Sequence, residues 1–451
     1  MDIQSAQTVY FSGIGGIGMS ALAQLLHEDG VRVRGSDIAE NEMTRRLTAA
    51  GIDVVIGQDG SGITPDIDIV IYTSAVPDDH PEKHAAQEYG VVTFSYFEAL
   101  GQYMRQFKTA IAISGTHGKS TTTAMIANVL IAAEFDPTVV VGTVVKEFNS
   151  NARHGGKEYI IVEACEHKEH MLNLHPNMIV LTNIEEDHLD HYRDLEHIVM
   201  TFQKYVNHLP SDGVLVKNMD DSEVTELGCD AGIVMYGIEN EATNRAEDIH
   251  VQNGKQKFNS SGTEFTLNIP GRFNVYNALA AIATARALGI DDTITAKALK
   301  EFSGVWRRFE IVGQCRGAIV ISDYAHHPTA IHSTINAARE FYPRKRIVVA
   351  FQPHQRSRTE KLFNAFADSF AEADFVIIQE IYDVAGREEG QHISSTDLIA
   401  AVEKRGKYAW YAADAVETKQ KIMDVLEKND VLLIMGAGDI YKIAEDIIDR
   451  P

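Results

Sequence analysis

Two short glycine-rich stretches constrain this chain more than any other feature of it. Each follows an apolar run of strand length and leads into an amphipathic stretch of helix length. The first, Gly13-Ile14-Gly15-Gly16-Ile17-Gly18, lies between Thr8–Ser12 and Met19–Glu28. The second, Ser114-Gly115-Thr116-His117-Gly118-Lys119-Ser120-Thr121, lies between Thr109–Ser114 and a helix predicted from Ser120 to about Glu134. A strand that turns through glycines into a helix opens a βαβ unit. It aims backbone N–H groups and a helix N-terminus at an incoming anion. Two such openings predict successive α/β layers, each with its own phosphate site.

The remaining apolar runs extend the pattern. Val31–Val33, Val54–Ile56 and Ile67–Tyr72 read as buried parallel strands, with a helix at Met43–Ala50. After the second loop come strands at Tyr159–Glu163 and Met178–Leu181 and a helix at Leu195–His208. A third series has strands at Ala318–Ser322, Ile347–Phe351, Phe375–Ile378 and Val431–Met435, and a helix at Thr329–Tyr342. The chain therefore reads as α/β in class, three α/β units with boundaries near 105 and 312. The more polar stretch Asn240–Asn268 alternates, with Phe258, Phe265, Leu267 and Ile269, and is expected to form antiparallel strands inserted in the middle unit.

Composition narrows the partners. The chain has 41 Lys and Arg against 64 Asp and Glu, a formal charge of −23. That field repels nucleic-acid and anionic membrane surfaces, so neither is an expected partner. The three cysteines, Cys165, Cys229 and Cys315, lie far apart and form no CxxC pair. The start of the chain does not read as a secretory signal, and no apolar stretch is long enough to span a bilayer. The expected location is cytoplasmic.

Gly13, Gly15 and Gly18 fit GxGxxG, and Asp37 stands where such folds hold a ribose hydroxyl. The alternative is a tight turn without a ligand. The motif alone does not separate NAD, FAD and a nucleotide sugar. The second loop ends in GKS, although Ile113 stands where GxxxxGK[ST] has its first glycine. Backbone N–H groups of Gly115 to Gly118 would cradle phosphates, Lys119 would reach the terminal ones, and the Ser120 hydroxyl would ligate Mg²⁺. This loop predicts ATP or GTP.

Glu163 ends the strand Tyr159–Glu163 and His188 comes after the strand Met178–Leu181, beside the phosphate loop, where a nucleotide-bound metal needs ligands. Glu185, Glu186 and Asp190 read equally well as solvated loop acids. Asp323-Tyr324-Ala325-His326-His327-Pro328 follows a third-unit strand, and Arg307-Arg308 lies at a unit junction. His354, Arg356 and Arg358 end another strand and suggest an anion site within an acidic protein.

Taken together, GIGGIGM (13–19), SGTHGKSTTT (114–123), EACE (163–166), TNIEEDHLD (182–190), GRFNVYNALAA (271–281), WRRFE (306–310), DYAHHPT (323–329), FQPH (351–354) and GAGDIYK (436–442) make the chain resemble the Mur ligases of peptidoglycan synthesis. The likeness runs from about Val9 to Ile443 and is strongest to the alanine-adding branch. It implies a Rossmann-like domain over 1–105 holding UDP-N-acetylmuramate, a central P-loop ATPase-like domain over 106–312, and a Rossmann-like domain over 313–451 carrying L-alanine. It implies ATP and Mg²⁺, an acyl-phosphate intermediate, and a monomer or homodimer.

The resemblance also distributes roles. Gly13, Gly15, Gly16, Gly18, Asp37, Ser74 and Ala75 would hold the UDP-sugar. Gly115, Thr116, His117, Gly118, Lys119, Ser120, Thr121, Asn274, Asn277, Arg308 and Asp323 would hold ATP. Lys119, Glu163, His188 and His327 would act on the reacting groups, with Ser120, Glu163 and His188 on the metal. His354 and Arg358 would hold the acceptor. The chain departs from relatives at residues 165–170, at Phe273 in place of a histidine, and at Gln355 in place of an arginine. Lys204 reads as an ordinary helix lysine. The rival readings are a murein-peptide recycling ligase on the same UDP-sugar and an NAD(P)-dependent oxidoreductase.

Overall fold

A computed structural model describes residues 2–189, 191–383 and 392–448. Asp190 lies outside the described residues. The chain divides into two compact units: residues 1–246 with 276–299, and residues 247–275 with 300–451.

In the first unit, β1 (Thr8–Ser12), α1 (Ile17–Glu28), β2 (Arg32–Asp37), α2 (Glu42–Ala49), β3 (Asp53–Ile56), β4 (Ile69–Tyr72), α3 (Pro81–Tyr89), β5 (Val92–Ser95) and α4 (Tyr96–Met104) form a parallel sheet of order β3-β2-β1-β4-β5 with its helices. The central strands β1 and β4 are buried throughout, as strands covered on both faces must be. Strand β2 runs past the predicted Val33 to Asp37, because Gly35 and Ser36 pair with Phe11 and Ser12. A side chain at 35 would meet the Phe11 carbonyl at 2.5 Å, so this stretch stays in the sheet without being apolar. Helix starts are chemically marked. Asn41 with Thr44, and Ser95 with Glu98, form capping boxes, and Pro81 opens α3.

A second sheet follows. It is built on β6 (Thr109–Ser114), α5 (Lys119–Ala132), β7 (Thr138–Val145), β8 (Ser150–Arg153), β9 (Tyr159–Glu163), β10 (Met178–Leu181), α6 (Leu195–Val206), β11 (Val214–Asn218), α7 (Ser222–Glu226), β12 (Gly232–Gly237) and β13 (Asn244–Arg245). Its order is β13-β12-β11-β10-β6-β9-β7-β8, with β8 the antiparallel edge. One apolar core runs through both sheets. Polar ties reinforce it: Asn151 donates to Ser20 Oγ at 3.0 Å and Arg46 to the Asn149 carbonyl at 2.6 Å. Asp29, at the end of α1, accepts from Tyr103 at 2.7 Å, Lys157 at 2.7 Å and His154 at 2.9 Å.

The second unit contains the antiparallel meander β14 (Glu247–Gln252), β15 (Lys255–Ser260) and β16 (Thr263–Leu267). Phe258 and Phe265 face each other there, as the alternation predicts, though this segment clusters with residues 300–451. Helices α8 (Arg272–Ala287) and α9 (Asp292–Glu301) follow, their residues 276–299 belonging to the first unit, and the second unit continues with β17 (Glu310–Cys315), β18 (Ala318–Asp323), α10 (Pro328–Phe341), β19 (Ile347–Phe351), α11 (Arg356–Lys361), α12 (Phe363–Asp368), β20 (Phe375–Gln379), α13 (Ser395–Lys404), β21 (Ala409–Ala412), α14 (Ala415–Val425), β22 (Val431–Met435) and α15 (Tyr441–Ile447). The six-stranded sheet has the order β17-β18-β22-β19-β20-β21, parallel except for β17. Apolar clusters cover both of its faces. Among the described residues no helix is long and apolar enough to cross a membrane.

Candidate active site

The second glycine loop sits where β6 ends between β9 and β10, so residues after all three strands converge on it. Gly115 takes φ 135°, and a Cβ there would lie 2.0 Å from Thr182 Oγ1. Only glycine fits. The amides of Thr116 and His117 are held by the backbone and side chain of Asn183, at 2.9 Å and 2.8 Å. His117 also meets Glu185 at 3.4 Å. Helix α5 then starts at Lys119, with Ser120 and Thr121 buried in its first turn. Asn277 on α8 accepts from Thr122 at 3.1 Å, which places it beside the loop, while Asn274 donates to the Pro270 carbonyl at 2.6 Å.

Lys119 is tied back rather than extended into solvent. Its ammonium lies 2.8 Å from Glu166 and donates to the Gly115 carbonyl at 2.5 Å. Burial alone would raise the Glu166 acid and lower Lys119. Their contact, with His188 at 3.5 Å from Glu166, holds Glu166 well below the usual carboxylate range and keeps Lys119 high. Sequence reasoning gave Glu166 no role; its signal was its place in the same loop as Glu163. Ser120 donates to Glu163 at 3.0 Å, and the Gly142 amide donates to the other Glu163 oxygen at 2.7 Å. Ser120 thus contacts Glu163, while Glu166 contacts both Lys119 and His188. Adjacent hydroxyl and carboxylate oxygens at a phosphate loop are a hard donor pair of the kind Mg²⁺ takes. The Nδ1 of His188 is buried without a hydrogen-bond partner. These residues fit a nucleotide-bound Mg²⁺.

The first glycine loop folds at the C-terminal end of β1. Gly13 has φ 82°, and its Cβ would strike Thr73 at 2.4 Å. The Gly15 amide donates to Asp37 at 2.8 Å, so Asp37 contacts the loop itself. Gly16 and Gly18 border a cavity of about 330 Å³ that also touches Ser74 and reaches Glu163. Ala75 is exposed and does not border it. The loop and the phosphate-side acid thus share one cavity. Cys165 also borders it; burial and Glu166 push its thiol up to about 12. His170 borders it as well, stacked on Phe97 at 4.4 Å. Burial, with Lys168, His191 and His188 near it, holds His170 down to about 4, so the ring is neutral. Lys204 is half exposed and lies 3.9 Å from Glu169, as a helix lysine would.

In the second unit, Asp323 ends β18, where it accepts from the Phe309 amide at 2.8 Å and the Ala325 amide at 2.7 Å. Burial raises its acid. Arg308 lies over the Tyr324 ring at 4.8 Å, and Arg307 is boxed by Trp306, Tyr324 and Tyr441. His327 is buried at the start of α10. His354 stacks on Tyr382 and stands 6.1 Å from His326. Arg358 is buried next to His354, its guanidinium 3.5 Å from that carbonyl. Arg356 does not point freely to solvent: it pairs with Glu380 and Asp383, both at 3.1 Å.

Comparison with known proteins agrees with this geometry. Residues 8–108 match the Mur ligase family catalytic domain, 113–285 the Mur ligase middle domain, and 307–438 the Mur ligase glutamate ligase domain. A UDP-N-acetylmuramate–L-alanine ligase of Alkaliphilus metalliredigens is 39% identical, covering 99% of this chain and 98% of its own. The crystal structure of a UDP-N-acetylmuramate–alanine ligase from Thermotoga maritima superposes with a TM-score of 0.83 at 32% identity over 98% of both chains. That of a murein peptide ligase from Psychrobacter arcticus gives 0.72 at 25% identity, again over 98% of both. With three domain matches in order and a full-length relative at this identity, the chain belongs to the Mur ligase family.

Proposed function

We propose that this protein is an ATP-dependent ligase that joins L-alanine to the lactyl carboxylate of UDP-N-acetylmuramate. The observation that carries the reading is the single cavity running from the first glycine loop to Glu163 beside the phosphate loop. A ligand with a diphosphate at one end and a carboxylate at the other spans those two features. In this reading residues 1–105 hold the UDP-sugar, 106–312 hold ATP, and 313–451 hold alanine, with ligand residues as the resemblance assigns them. The proposed location is the cytoplasm and the proposed assembly a monomer or homodimer.

The carboxylate oxygen attacks the γ-phosphorus and ADP leaves; the amine of alanine then attacks the acyl carbon, phosphate leaves and the amine loses a proton. Lys119 places positive charge against the transferring phosphoryl group. Glu166 holds Lys119 in place until ATP arrives. Ser120 and Glu163, with His188, would hold Mg²⁺, which when bound neutralises phosphate charge. Arg358 offers a planar fork to the alanine carboxylate, beside His354. The test is phosphate release from ATP and UDP-N-acetylmuramate across free amino acids and a murein tripeptide. Release with L-alanine supports the reading. Release with the tripeptide alone would move the protein to the recycling branch, and NAD binding would favour the oxidoreductase.

A further inference from the structure

The cavity has one wall that the reaction scheme leaves unused. Tyr96, Phe97 and His170 line it together with Gly16, Gly18 and Glu163. Tyr96 presses on the glycine loop so closely that a Cβ at Gly18 would lie 2.7 Å from its ring. Tyr96 and Phe97 meet edge to face at 4.7 Å, and His170 lies flat on Phe97 with an interplanar angle of 13°. All three residues border the one cavity. Pockets for small ligands pair an aromatic and apolar lining with a few polar groups that fix orientation.

His170 supplies such a group. Its Nε2 is buried and has no hydrogen-bond partner. A buried nitrogen without a partner loses water and gains nothing, a cost that a polar group of a ligand would offset. The segment before it also holds a costly shape: Lys168 and Glu169 have φ of 52° and 58°, in the left-handed region that non-glycine residues avoid. That shape delivers His170 to the cavity. Being neutral, the imidazole can donate or accept at Nε2 according to tautomer, which suits a hydroxyl or an acetamido group.

We propose that His170 Nε2 hydrogen-bonds the hexose of the nucleotide sugar, making residue 170 a specificity determinant for the sugar rather than for the uridine or the diphosphate. The inference rests on the UDP-sugar reading. Its test compares His170→Phe, which keeps a flat ring on Phe97 but removes the nitrogen, with His170→Gln, whose amide nitrogen restores a polar group at that reach. UDP-N-acetylmuramate and UDP are each titrated calorimetrically into both variants and the unaltered protein, with thermal melting to confirm folding. His170→Phe is expected to weaken UDP-N-acetylmuramate about tenfold and leave UDP unchanged, as loss of one neutral hydrogen bond does. His170→Gln is expected to recover most of the loss. Should the phenylalanine crowd the cavity and unfold the protein, His170→Ala takes its place with the same expectation. Equal weakening of both ligands, or none, would overturn the assignment. If the unaltered protein bound no UDP-N-acetylmuramate, the ligase reading itself would fall.

Discussion

At the scale of single residues, the Lys119–Glu166 pair decides most. Lys119→Ala should lower turnover by about 10²–10³, the usual cost of removing one transition-state charge. Glu166→Gln should instead act on stability, because it leaves Lys119 buried without its anion; about 3 kcal/mol is expected at neutral pH. The pH dependence has a definite sign. The Glu166 carboxylate lies lower in the folded protein than in the unfolded chain, near 4.3. Its contribution is therefore present above about pH 4.3 and lost as pH falls through the lower folded value. Urea midpoints against pH should show that loss in the native sequence and a flatter curve in Glu166→Gln. The acceptor residues make a separate case. Arg358→Lys should raise the KM for L-alanine about tenfold, since an ammonium cannot copy a two-point fork. Arg356→Lys should change that KM little, because its guanidinium is already committed to Glu380 and Asp383. Steady-state kinetics on both variants separate the two.

At the scale of elements, the phosphate loop depends on backbone shape as much as on its lysine. Gly115→Ala adds a Cβ that would sit 2.0 Å from Thr182, in a conformation only glycine adopts freely. ATP affinity should fall at least tenfold while UDP-sugar affinity holds, a split that titration of each ligand would reveal. Loops of this kind were legible because their chemistry is contiguous: strand, glycines, lysine and helix follow one another in sequence. Central strands such as β1, β4 and β10 were legible because burial on both faces forces an unbroken apolar run. The short edge strands β8 and β13 were not, since four or two residues are too few to show a period. Nor was the burial of Lys119, which a loop position suggests should face solvent. Its partner is 47 residues away and reaches it only through the pairing of β6 with β9. The ring wall is hidden for the same reason, its members coming from α4 and from the irregular segment after Glu163.

For the whole molecule, two compact units predict that unfolding is not a single cooperative step. Calorimetry should resolve more than one transition. UDP-N-acetylmuramate at a hundred times its Kd should raise the one belonging to residues 1–246 and 276–299, with about 2.7 kcal/mol of stabilisation. A shift confined to the other transition would contradict the placement of the sugar. Within that first unit, the ties from Asp29, Arg46 and Asn151 join the sheet bearing the glycine loop to the sheet bearing the phosphate loop. The cavity between the loops then works as a gauge of fixed length. A nucleotide sugar is accepted for chemistry only if its arm reaches from one jaw to the other. UDP-N-acetylglucosamine, which has the diphosphate and the hexose but no lactyl arm, should seat against Gly16 and Gly18, fall short of Glu163, and occupy the protein without any release of phosphate from ATP.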